Sequence, residues 1–493
     1  MRASGILLGI SSLPGKYGIG KMGKEAREFV DFLKESRQSY WQILPLSPTS
    51  YGDSPYQSCS TNAGNPYFID FEDLEAQGLL KPEDYKTINF GDNPNYIDYG
   101  VIYNTVFGVL RKAYARFKPN EDYCKFYEKN REWVADYALF MALKGENGGS
   151  AWCEWPEDLK MAKPYALQDA KARLSDEIGF YVFMQYEFYK QWLSLKAYAN
   201  ENGVEIIGDM PIYCAYDSVE AWLHPELFEL DEEKNPINVA GCPPDAFSED
   251  GQLWGNPLYN WKGMQLTGYK WWIDRIAFAT DIYDVLRIDH FRGFAGYYSI
   301  PFGEETARNG EWREGPKMEL FNSTNYWLGK KRIIAEDLGL ITPDVIQLLK
   351  DTEYPGMKVL QFSMSPDGKS EYLPCNYETT NCFCYTSTHD SYTMGGWVEE
   401  LEGEELEFCM NYTGVTKKED LLEAMLRLAW SSISEVAIAQ PQDFLGYGNE
   451  TRINSPGTVG LNWKWRISQE DLTEALSDKI KALTETYNRC GKQ

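Results

Sequence analysis

Three short apolar segments of this chain each run directly into acidic residues. They are residues 284–290, which contain Asp289, residues 332–337 and residues 384–390. Side chains of a β-strand alternate between its two faces, so Arg287 and Asp289 point the same way. Acidic residues at the carboxyl ends of several parallel strands are where a (β/α)8 barrel holds its catalytic groups. The chain is therefore predicted to be an α/β protein of this type, a (β/α)8 TIM barrel.

Eight apolar runs in the sequence fit the eight strands of such a barrel. Strands that are buried on both faces of a parallel sheet are nearly continuous in apolar residues instead of alternating. The runs are Ile6–Ile10, Trp41–Leu46, Val204–Asp209, Asp284–Asp289, Arg332–Glu336, Met357–Phe362, Cys382–Thr386 and Glu435–Gln440. A plain barrel needs about 250 residues, and this chain has 493. We therefore expect one catalytic barrel over residues 1–493, with large insertions in the loops that follow its strands.

Two intervals between these strands are long enough to hold inserted subdomains. The first, residues 66–200 between the second and third strands, has apolar residues at helical spacing and is predicted to be mainly helical. Val106, Leu110 and Ala113 are an example of this spacing. The second, residues 213–272 between the third and fourth strands, is rich in Pro, Gly and aromatic residues and is predicted to be an irregular loop subdomain. Loops on this side of a barrel form the walls and lids of its site.

The composition argues against several classes of partner. A formal net charge of −26 disfavours nucleic acid and anionic membranes, because both attract basic surfaces. The N-terminal run Ile6–Ile10 is shorter than the apolar core of a signal peptide, and no run approaches the ~20 residues of a membrane span. We therefore expect a cytoplasmic protein. The ten cysteines form no CxxC pair and there are only three histidines, so zinc-ligand spacing is absent and reduced thiols are expected.

Residues 18–23 match the glycine pattern GxGxxG of dinucleotide-binding sites. Such a site requires the glycines directly after a strand, and an acidic residue at the end of the next strand. Here several loop residues precede the glycines, and the next strand ends in Pro45 and Leu46. The pattern therefore does not predict a nucleotide site, and no organic cofactor is expected.

Asp289, Glu336 and Asp390 form a set of carboxylic acids suited to glycosidic bond chemistry, in which one carboxyl group is ionised and another protonated. Arg287 is expected to lower the pKa of Asp289, which keeps a nucleophile ionised. Nearby anions are expected to raise the pKa of Glu336, as a general acid requires. Asp390, which follows His389, is placed to brace the sugar through hydrogen bonds as positive charge develops.

Two other interpretations apply to the same residues. One Arg/Asp pair on its own is more often a buried ion pair that stabilises a barrel than a catalytic group. Acids at three strand ends, two of them beside a histidine, favour a catalytic site over that structural role. Asp289, Glu336, Asp390 and His389 also have the chemistry to bind a divalent ion, but the cation of Arg287 would repel it. No metal is therefore expected.

Longer motifs give the chain a resemblance to a known family. They are Gly-Asp-Ser-Pro-Tyr-Gln-Ser at 52–58, Gly-Asp-Met-Pro-Ile-Tyr at 208–213, Arg-Ile-Asp-His-Phe-Arg-Gly-Phe at 287–294, Ala-Glu-Asp-Leu-Gly at 335–339 and Asn-Ser-Pro-Gly-Thr at 454–458. With these motifs in order over nearly its whole length, the chain resembles the 4-α-glucanotransferases of glycoside hydrolase family 77, also called amylomaltases or disproportionating enzymes. The resemblance implies a barrel of the α-amylase superfamily without a C-terminal β-sandwich domain.

The resemblance also implies roles for individual residues. Asp289 would be the nucleophile, Glu336 the general acid/base and Asp390 the transition-state stabiliser. The substrate-binding residues that it implies are Arg287, His389, Asp209, Tyr56, Gln252, Trp254, Asp245 and Asn454. Two positions depart from the family pattern, since Ser387 stands where glycine is expected and Cys214 replaces an aliphatic residue.

The partners that the resemblance implies are α-1,4-glucans and glucose, exchanged by a retaining double displacement. Hydrolysis shares the covalent step with transfer, so a transferase must orient its acceptor and shield the intermediate from water. The loop 243–257 would arch over the bound glucan for this purpose. Two alternatives stay open, a retaining α-glucan hydrolase of the α-amylase type and a catalytically silent glucan-binding protein. The sequence does not specify an oligomeric state.

Overall fold

The computed structural model describes residues 2–244, 248–339 and 341–491. The strands in these residues are β1 (Ala3–Leu7), β2 (Tyr40–Gln42), β3 (Glu205–Met210), β4 (Asn238–Cys242), β5 (Gln252–Pro257), β6 (Val285–Ile288), β7 (Gly296–Pro301), β8 (Glu311–Glu314), β9 (Ile333–Ala335), β10 (Gly356–Val359), β11 (Cys382–Tyr385) and β12 (Val436–Ala439). The α-helices are α1 (Lys24–Glu35), α2 (Phe71–Ala76), α3 (Tyr99–Tyr114), α4 (Glu121–Glu146), α5 (Glu157–Lys160), α6 (Pro164–Arg173), α7 (Ser175–Glu201), α8 (Val219–Leu223), α9 (Trp261–Leu266), α10 (Lys270–Ile282), α11 (Met318–Leu328), α12 (Pro343–Thr352), α13 (Met394–Glu400), α14 (Gly403–Thr413), α15 (Leu421–Ser431), α16 (Pro441–Leu445) and α17 (Glu474–Thr486).

Eight strands form one parallel sheet in the order β10-β11-β12-β1-β2-β3-β6-β9. The two end strands meet where the backbone N–H of Ala335 donates to the carbonyl oxygen of Pro355 at 2.9 Å, which brings the sheet close to full closure. Helices lie between most consecutive strands of this sheet. The predicted (β/α)8 barrel is confirmed, and each of the eight predicted strands has a counterpart in it.

The first strand begins and ends earlier than predicted. The sequence predicts a strand over Ile6–Ile10, but β1 pairs with its neighbours β12 and β2 only as far as Leu7. A short 3-10 helix at Ile10–Ser12 follows it. The apolar run continues past the strand because these residues are also buried, so hydrophobicity does not mark the point where pairing stops.

Apolar side chains fill the barrel interior below the acidic residues. Val285 and Ile334 belong to one buried cluster inside the sheet. Side chains two residues apart on a strand share a face, so Arg287 continues the inward row of β6 and Glu336 continues that of β9. Asp209 stands at the same level on β3, where it is the register partner of Arg287. Inside the barrel, β3, β6 and β9 therefore have apolar side chains along the strand and charged side chains at its carboxyl end.

The interval between β2 and β3 is helical, as its apolar spacing predicts. It contains α2 to α7, of which α4 and α7 are the longest. The side chain of Asn120 caps α4 by accepting the N–H of Tyr123. Aromatic side chains join the two long helices, with the rings of Phe126 and Tyr189 stacked at 6.1 Å between centroids.

Close packing of the backbone accounts for the glycine pattern near the N-terminus. Lys21 is buried, and its Nζ donates to the carbonyl oxygens of Tyr67 at 2.9 Å and Ile69 at 3.0 Å. A Cβ at Gly20 would lie 1.8 Å from the carbonyl oxygen of Ile10. The segment therefore joins the first βα loop of the barrel to the start of the helical insertion.

The second insertion contains regular structure that the sequence did not predict. β4 and β5 pair in an antiparallel sheet of order β5-β4-β7-β8, whose other strands follow β6 in the chain. The prediction of an irregular segment missed these strands because each is short and contains glycine, Gly241 in β4 and Gly255 in β5. The β4–β5 register also shifts between Val239 and Gly241. Pairing with β7, which is distant in sequence, stabilises what looks locally irregular.

Two further findings concern the chain as a whole. Among the helices that the structure describes, none combines the length and the apolar character needed to cross a membrane. No disulfide joins any two cysteines of the described residues.

Close packing leaves no room for a side chain at Gly208, which lies just before Asp209 in β3. A Cβ there would lie 2.1 Å from the ring of buried Tyr283. We expect Gly208→Ala to lower the free energy of unfolding by about 1–3 kcal/mol, the usual cost of overpacking a core. Thermal and urea denaturation followed by tryptophan fluorescence would measure this.

The matched control is Gly145→Ala in α4, where a Cβ would meet no atom within 4 Å. Alanine has the higher helix propensity, so this variant should be more stable by up to about 1 kcal/mol. Equal shifts in the two variants would contradict the steric explanation.

Candidate active site

The guanidinium of Arg287 lies buried at the centre of the strand-end acids. Its Nη1 donates to Oδ2 of Asp209 at 2.5 Å and lies 3.1 Å from Oδ1 of Asp289. Its Nε lies 3.4 Å from Sδ of Met357. The parallel register of β3 with β6 puts Asp209 directly beside Arg287. Strand register thus forms an ion-paired group from residues that are far apart in sequence.

Tyr56 connects Asp209 to the far side of the site. Its hydroxyl donates to Oδ2 of Asp209 at 2.7 Å and lies 2.9 Å from Nε2 of His389. Its ring stacks on the imidazole of His389 at 5.5 Å between centroids and 13° between planes. Nδ1 of His389 is buried and has no hydrogen-bond partner among the described residues. This places the imidazole proton on Nε2, from which it is shared toward Tyr56 and Asp390.

Asp390 follows β11 and is held through both carboxylate oxygens. Oδ2 lies 3.0 Å from Nε2 of His389, and Oδ1 accepts from Nδ2 of Asn454 at 2.6 Å. The guanidinium of Arg452 donates to the backbone carbonyl of Asp390 at 2.6 Å. Burial alone would favour the neutral acid, but His389 and Asn454 lower the pKa of Asp390 to about 2. Asp390 is therefore ionised at neutral pH.

Glu336 follows β9, and both of its carboxylate oxygens accept backbone N–H groups. Oε2 accepts from His290 at 2.7 Å and Oε1 from Leu338 at 2.9 Å. His290, whose N–H makes the first of these contacts, has a φ of 50° and so adopts a left-handed conformation. Because His290 directly follows Asp289, this contact holds the two carboxylic acids at one place in the barrel mouth.

Burial raises the pKa of Asp289 and also the pKa of Glu336. Arg287 opposes the shift at both groups, whereas Asp390 adds to it. The direction expected for Glu336 agrees with the structure. The expectation that Arg287 keeps the pKa of Asp289 low was wrong, because burial outweighs a guanidinium that Asp209 also shares. Two raised and interacting acids titrate as a pair, so neither pKa belongs to one residue alone.

Gln252 and Trp254 form a wall beside this cluster. Both belong to β5, where Nε1 of Trp254 donates to Oε1 of Gln252 at 3.0 Å. The indole meets the ring of His290 edge-on, with 4.8 Å between centroids. Asp245, which is also predicted to bind substrate, lies outside the described residues. The other predicted binding residues lie either on this wall or in the group of contacts around Arg287 and Asp390 described above.

Some residues that shape the site were not predicted. Arg452 is one of them, and Asp443 is another. Asp443 is buried behind β11, and its Oδ2 accepts from the hydroxyls of Thr386 at 2.5 Å and Ser387 at 2.6 Å. Ser387, which departs from the family pattern, therefore has a hydrogen bond that glycine could not make. Asp443 lies just beyond the predicted strand Glu435–Gln440, so the rule that acids follow barrel strands would have found it.

The cluster has the groups for acid–base and nucleophilic chemistry on a carbon that becomes positively charged. A neighbouring pair of carboxylic acids such as Asp289 and Glu336 is suited to donating a proton from one acid while the other attacks. The ionised Asp390 stabilises positive charge. Among residues of described position, no set of three or more His, Cys, Asp and Glu side chains is arranged to hold a metal ion. The acids instead surround the cation of Arg287.

Comparison with known proteins identifies close relatives over the whole length. A model of glycoside hydrolase family 77, described as 4-alpha-glucanotransferase, matches residues 8–473. A 4-alpha-glucanotransferase of Clostridium butyricum is 49% identical over 485 residues, which cover 98% of this chain and 99% of that protein. One from Streptococcus pneumoniae is 46% identical over 493 residues, covering 99% and 97%. The amylomaltase of Streptococcus agalactiae, solved in complex with acarbose, superposes with a TM-score of 0.97 at 44% identity, covering 99% of this chain and 100% of that one.

Asp337 follows Glu336 in the chain. Ionisation of its buried carboxyl group is predicted to lower the free energy of unfolding at neutral pH. Asp337 is buried, its Oδ1 accepts the N–H of Met357 at 2.7 Å, and burial raises its pKa to about 7. In the unfolded chain its pKa is about 3.9. The folded state therefore holds the proton more tightly, and stability from this group falls as pH rises from about 4 to about 7. Asp337→Asn should remove that fall and be more stable above pH 7, by about 2–4 kcal/mol.

Urea denaturation of both proteins between pH 4 and pH 8 measures the difference. The control is Asp351→Asn, which makes the same substitution at an exposed acid on α12, outside the core. If the curves of Asp337→Asn and the parent protein stay parallel over this range, the buried-acid explanation is wrong.

Proposed function

The chain belongs to glycoside hydrolase family 77 and is a 4-alpha-glucanotransferase, and we propose that it transfers α-1,4-glucan segments to the 4-hydroxyl of a glucan or glucose by a retaining double displacement. One observation carries the assignment of the two acids. Oε2 of Glu336 accepts the N–H of His290, the residue next to Asp289. Two carboxylic acids held together in this way suit attack and proton donation at one glycosidic bond, and retaining enzymes need them about 5–5.5 Å apart.

In the first step, Asp289 attacks the anomeric carbon of the donor while Glu336 gives its proton to the glycosidic oxygen. The C–O bond of the linkage breaks, a β-linked ester to Asp289 forms, and the leaving glucan departs with a free 4-hydroxyl. Oδ1 of Asp289 faces Arg287, so Oδ2 is the oxygen available for attack. In this proposal the transferable proton is carried by Glu336, and Asp289 attacks as the carboxylate that lies 3.1 Å from Nη1 of Arg287.

In the second step, the 4-hydroxyl of an acceptor glucan gives its proton to Glu336, which is now a carboxylate. The hydroxyl oxygen attacks the same carbon, and the bond to Asp289 breaks. Two inversions retain the α configuration. The two backbone N–H groups on Glu336 stabilise its ionised form between the steps, so the group is suited to both tasks.

Asp390 and its neighbours stabilise the charge that develops between these steps. The ionised carboxylate faces a sugar ring that becomes oxocarbenium-like. Its hydrogen bonds to His389 and Asn454 fix its orientation before substrate arrives, so little reorganisation is needed during reaction. Arg287 and Tyr56 hold Asp209 in the same network.

The whole chain, residues 1–493, acts in this proposal as one catalytic unit with two inserted subdomains, 66–200 and 213–272. The second contributes Gln252 and Trp254 to the wall of the site. The absence of a disulfide among the ten cysteines, all of which lie in the described residues, supports a cytoplasmic location, since oxidising compartments favour disulfides. The net charge of −26 supports neutral α-glucans over nucleic acids as partners.

Maltotriose distinguishes transfer from the two alternatives. A transferase should produce glucose together with longer maltooligosaccharides while the total of reducing ends stays constant, because each cleaved bond is replaced by a new one. Chromatography with a reducing-end assay follows both quantities. Steadily rising reducing ends would identify an α-amylase-like hydrolase, and unchanged maltotriose would identify a silent glucan-binding protein.

Separate variants of the two acids test their roles. Asp289→Asn should lower kcat on maltotriose by ~10³-fold or more, because the nucleophile is lost. Glu336→Gln should be similarly slow on maltotriose, but it should still react with α-maltosyl fluoride, since fluoride leaves without a proton. That variant should then accumulate a glycosyl-enzyme, visible as added mass on the intact protein.

Circular dichroism of both variants checks that they fold. Near-normal turnover in Asp289→Asn would refute the proposed nucleophile. The absence of any reaction of Glu336→Gln with the fluoride donor would refute its assignment as acid/base.

A further inference from the structure

Asp443 is a fully buried acid behind β11 that the mechanism above does not use. It lies in α16, which follows β12, the neighbour of β11 in the barrel sheet. Its Oδ2 accepts the hydroxyls of Thr386 at 2.5 Å and Ser387 at 2.6 Å, and its Oδ1 accepts the backbone N–H of Met394 at 2.7 Å. These three donors are uncharged groups, in contrast to the guanidinium of Arg287 that the other acids face.

The three contacts hold both ends of the segment that carries Asp390. This segment begins after Tyr385, where β11 ends, and it reaches Met394, the first residue of α13. One carboxylate therefore connects residues 386 and 387 to residue 394, with His389 and Asp390 between them. Fixing both ends of the segment restricts the conformations that are open to the residues between them.

Gln440 adds a second connection, closer to His389. Its Nε2 donates to Oγ of Ser387 at 2.8 Å and to the carbonyl oxygen of Thr388 at 3.1 Å. Ser387 therefore donates to Asp443 and accepts from Gln440. The carbonyl of Thr388 belongs to the peptide bond with His389, so the backbone directly before the catalytic pair is also held. Ser387 stands where the family pattern has glycine, and its hydroxyl is a donor that glycine lacks.

A carboxylate suits this position better than an amide of the same shape. Both of its oxygens accept, so it can take two hydroxyl groups and one N–H at once, whereas the nitrogen of an amide only donates. Burial raises the pKa of Asp443, and the hydrogen bonds from Ser387, Thr386 and Met394 oppose that rise. Burying a carboxylate lowers stability unless such donors satisfy it, so the acid and the segment depend on each other.

We propose that Asp443 is a positioning residue, which holds Asp390 in place against the donor sugar through its hydrogen bonds to both ends of the segment 386–394. The inference rests on the proposed function, in which Asp390 stabilises the oxocarbenium-like ring. Such stabilisation needs a charge that is already in position before reaction, and a misplacement of about 1 Å can cost about 10²-fold in rate. Because Asp443 is fully buried and cannot contact substrate, its effect on the rate is expected to pass through Asp390.

A double-mutant cycle between the two acids tests this, with α-maltosyl fluoride as donor and maltotriose as acceptor. The C–F bond breaks and a C–O bond to the acceptor forms, with fluoride and the hydroxyl proton released, so released fluoride reports the rate of slow variants. Asp443→Asn should lower kcat about 10–100-fold and leave the donor KM within about twofold. In the Asp390→Ala background the same substitution should change kcat by less than about twofold, because the group that Asp443 positions is already gone.

Thr386→Val is a milder variant that removes one hydroxyl donor, and it serves if circular dichroism shows that Asp443→Asn does not fold. It should lower kcat about 3–10-fold in the parent protein and less than about twofold in Asp390→Ala. The matched control is Asp70→Asn, the same substitution at a buried acid that caps α2 by accepting the N–H of Asp73 at 2.8 Å. It should lower the free energy of unfolding but leave kcat within about twofold.

Equal losses of kcat from Asp443→Asn in the parent protein and in Asp390→Ala would indicate a general structural role and overturn the proposal. An unchanged kcat in Asp443→Asn would also overturn it. Near-normal turnover in Asp390→Ala alone would instead refute the role of Asp390 in the proposed function, and this inference with it.

Discussion

The buried guanidinium of Arg287 has two carboxylates as direct neighbours, Asp209 at 2.5 Å and Asp289 at 3.1 Å. An isolated charge in this position would be strongly destabilising, so the arginine and its acids depend on one another. Removing either partner of such a pair leaves an uncompensated buried charge, typically at a cost of about 3–5 kcal/mol. The position of Arg287 follows from the parallel register of β3 with β6, which puts Asp209 opposite it. The register of these strands therefore fixes both the position of Arg287 and the balance of charge around it.

Burial, together with the excess of acids over cations around Arg287, determines the pKa values of the site. Asp390 is stabilised as an anion by His389 and Asn454, with a pKa of about 2. Burial raises the pKa of Asp289 and the pKa of Glu336, so these two compete for a proton. A retaining mechanism needs this inequality among neighbouring acids, one of them protonated and the others bare. The N–H of His290, which Oε2 of Glu336 accepts at 2.7 Å, opposes the rise of the pKa at Glu336.

Much of the barrel and of its catalytic level could be predicted because parallel strands are buried on both faces. Their apolar runs are visible in sequence, and the acids at their ends follow the alternation of a strand, as for Arg287 and Asp289. The predictions failed where partners come from distant segments. β4 and β5 were missed because pairing with β7 stabilises them. The predicted bounds of β1 were wrong because its pairing with β12 and β2 ends at Leu7. The pKa of Asp289 depends on burial and on Asp209, neither of which its own segment shows.

The sequence by itself determined the fold class, the strand ends that carry Asp289, Glu336 and Asp390, and the family to which the chain belongs. These properties can be inferred from local periodicity and from contiguous motifs. Only the tertiary structure decided how Asp209 and Asp289 share one guanidinium, how burial raises the pKa of Asp289 and of Glu336, and which N–H groups Glu336 accepts. Those outcomes depend on distances of a few ångströms between segments far apart in the chain, and electrostatic interactions in a buried site change steeply over such distances.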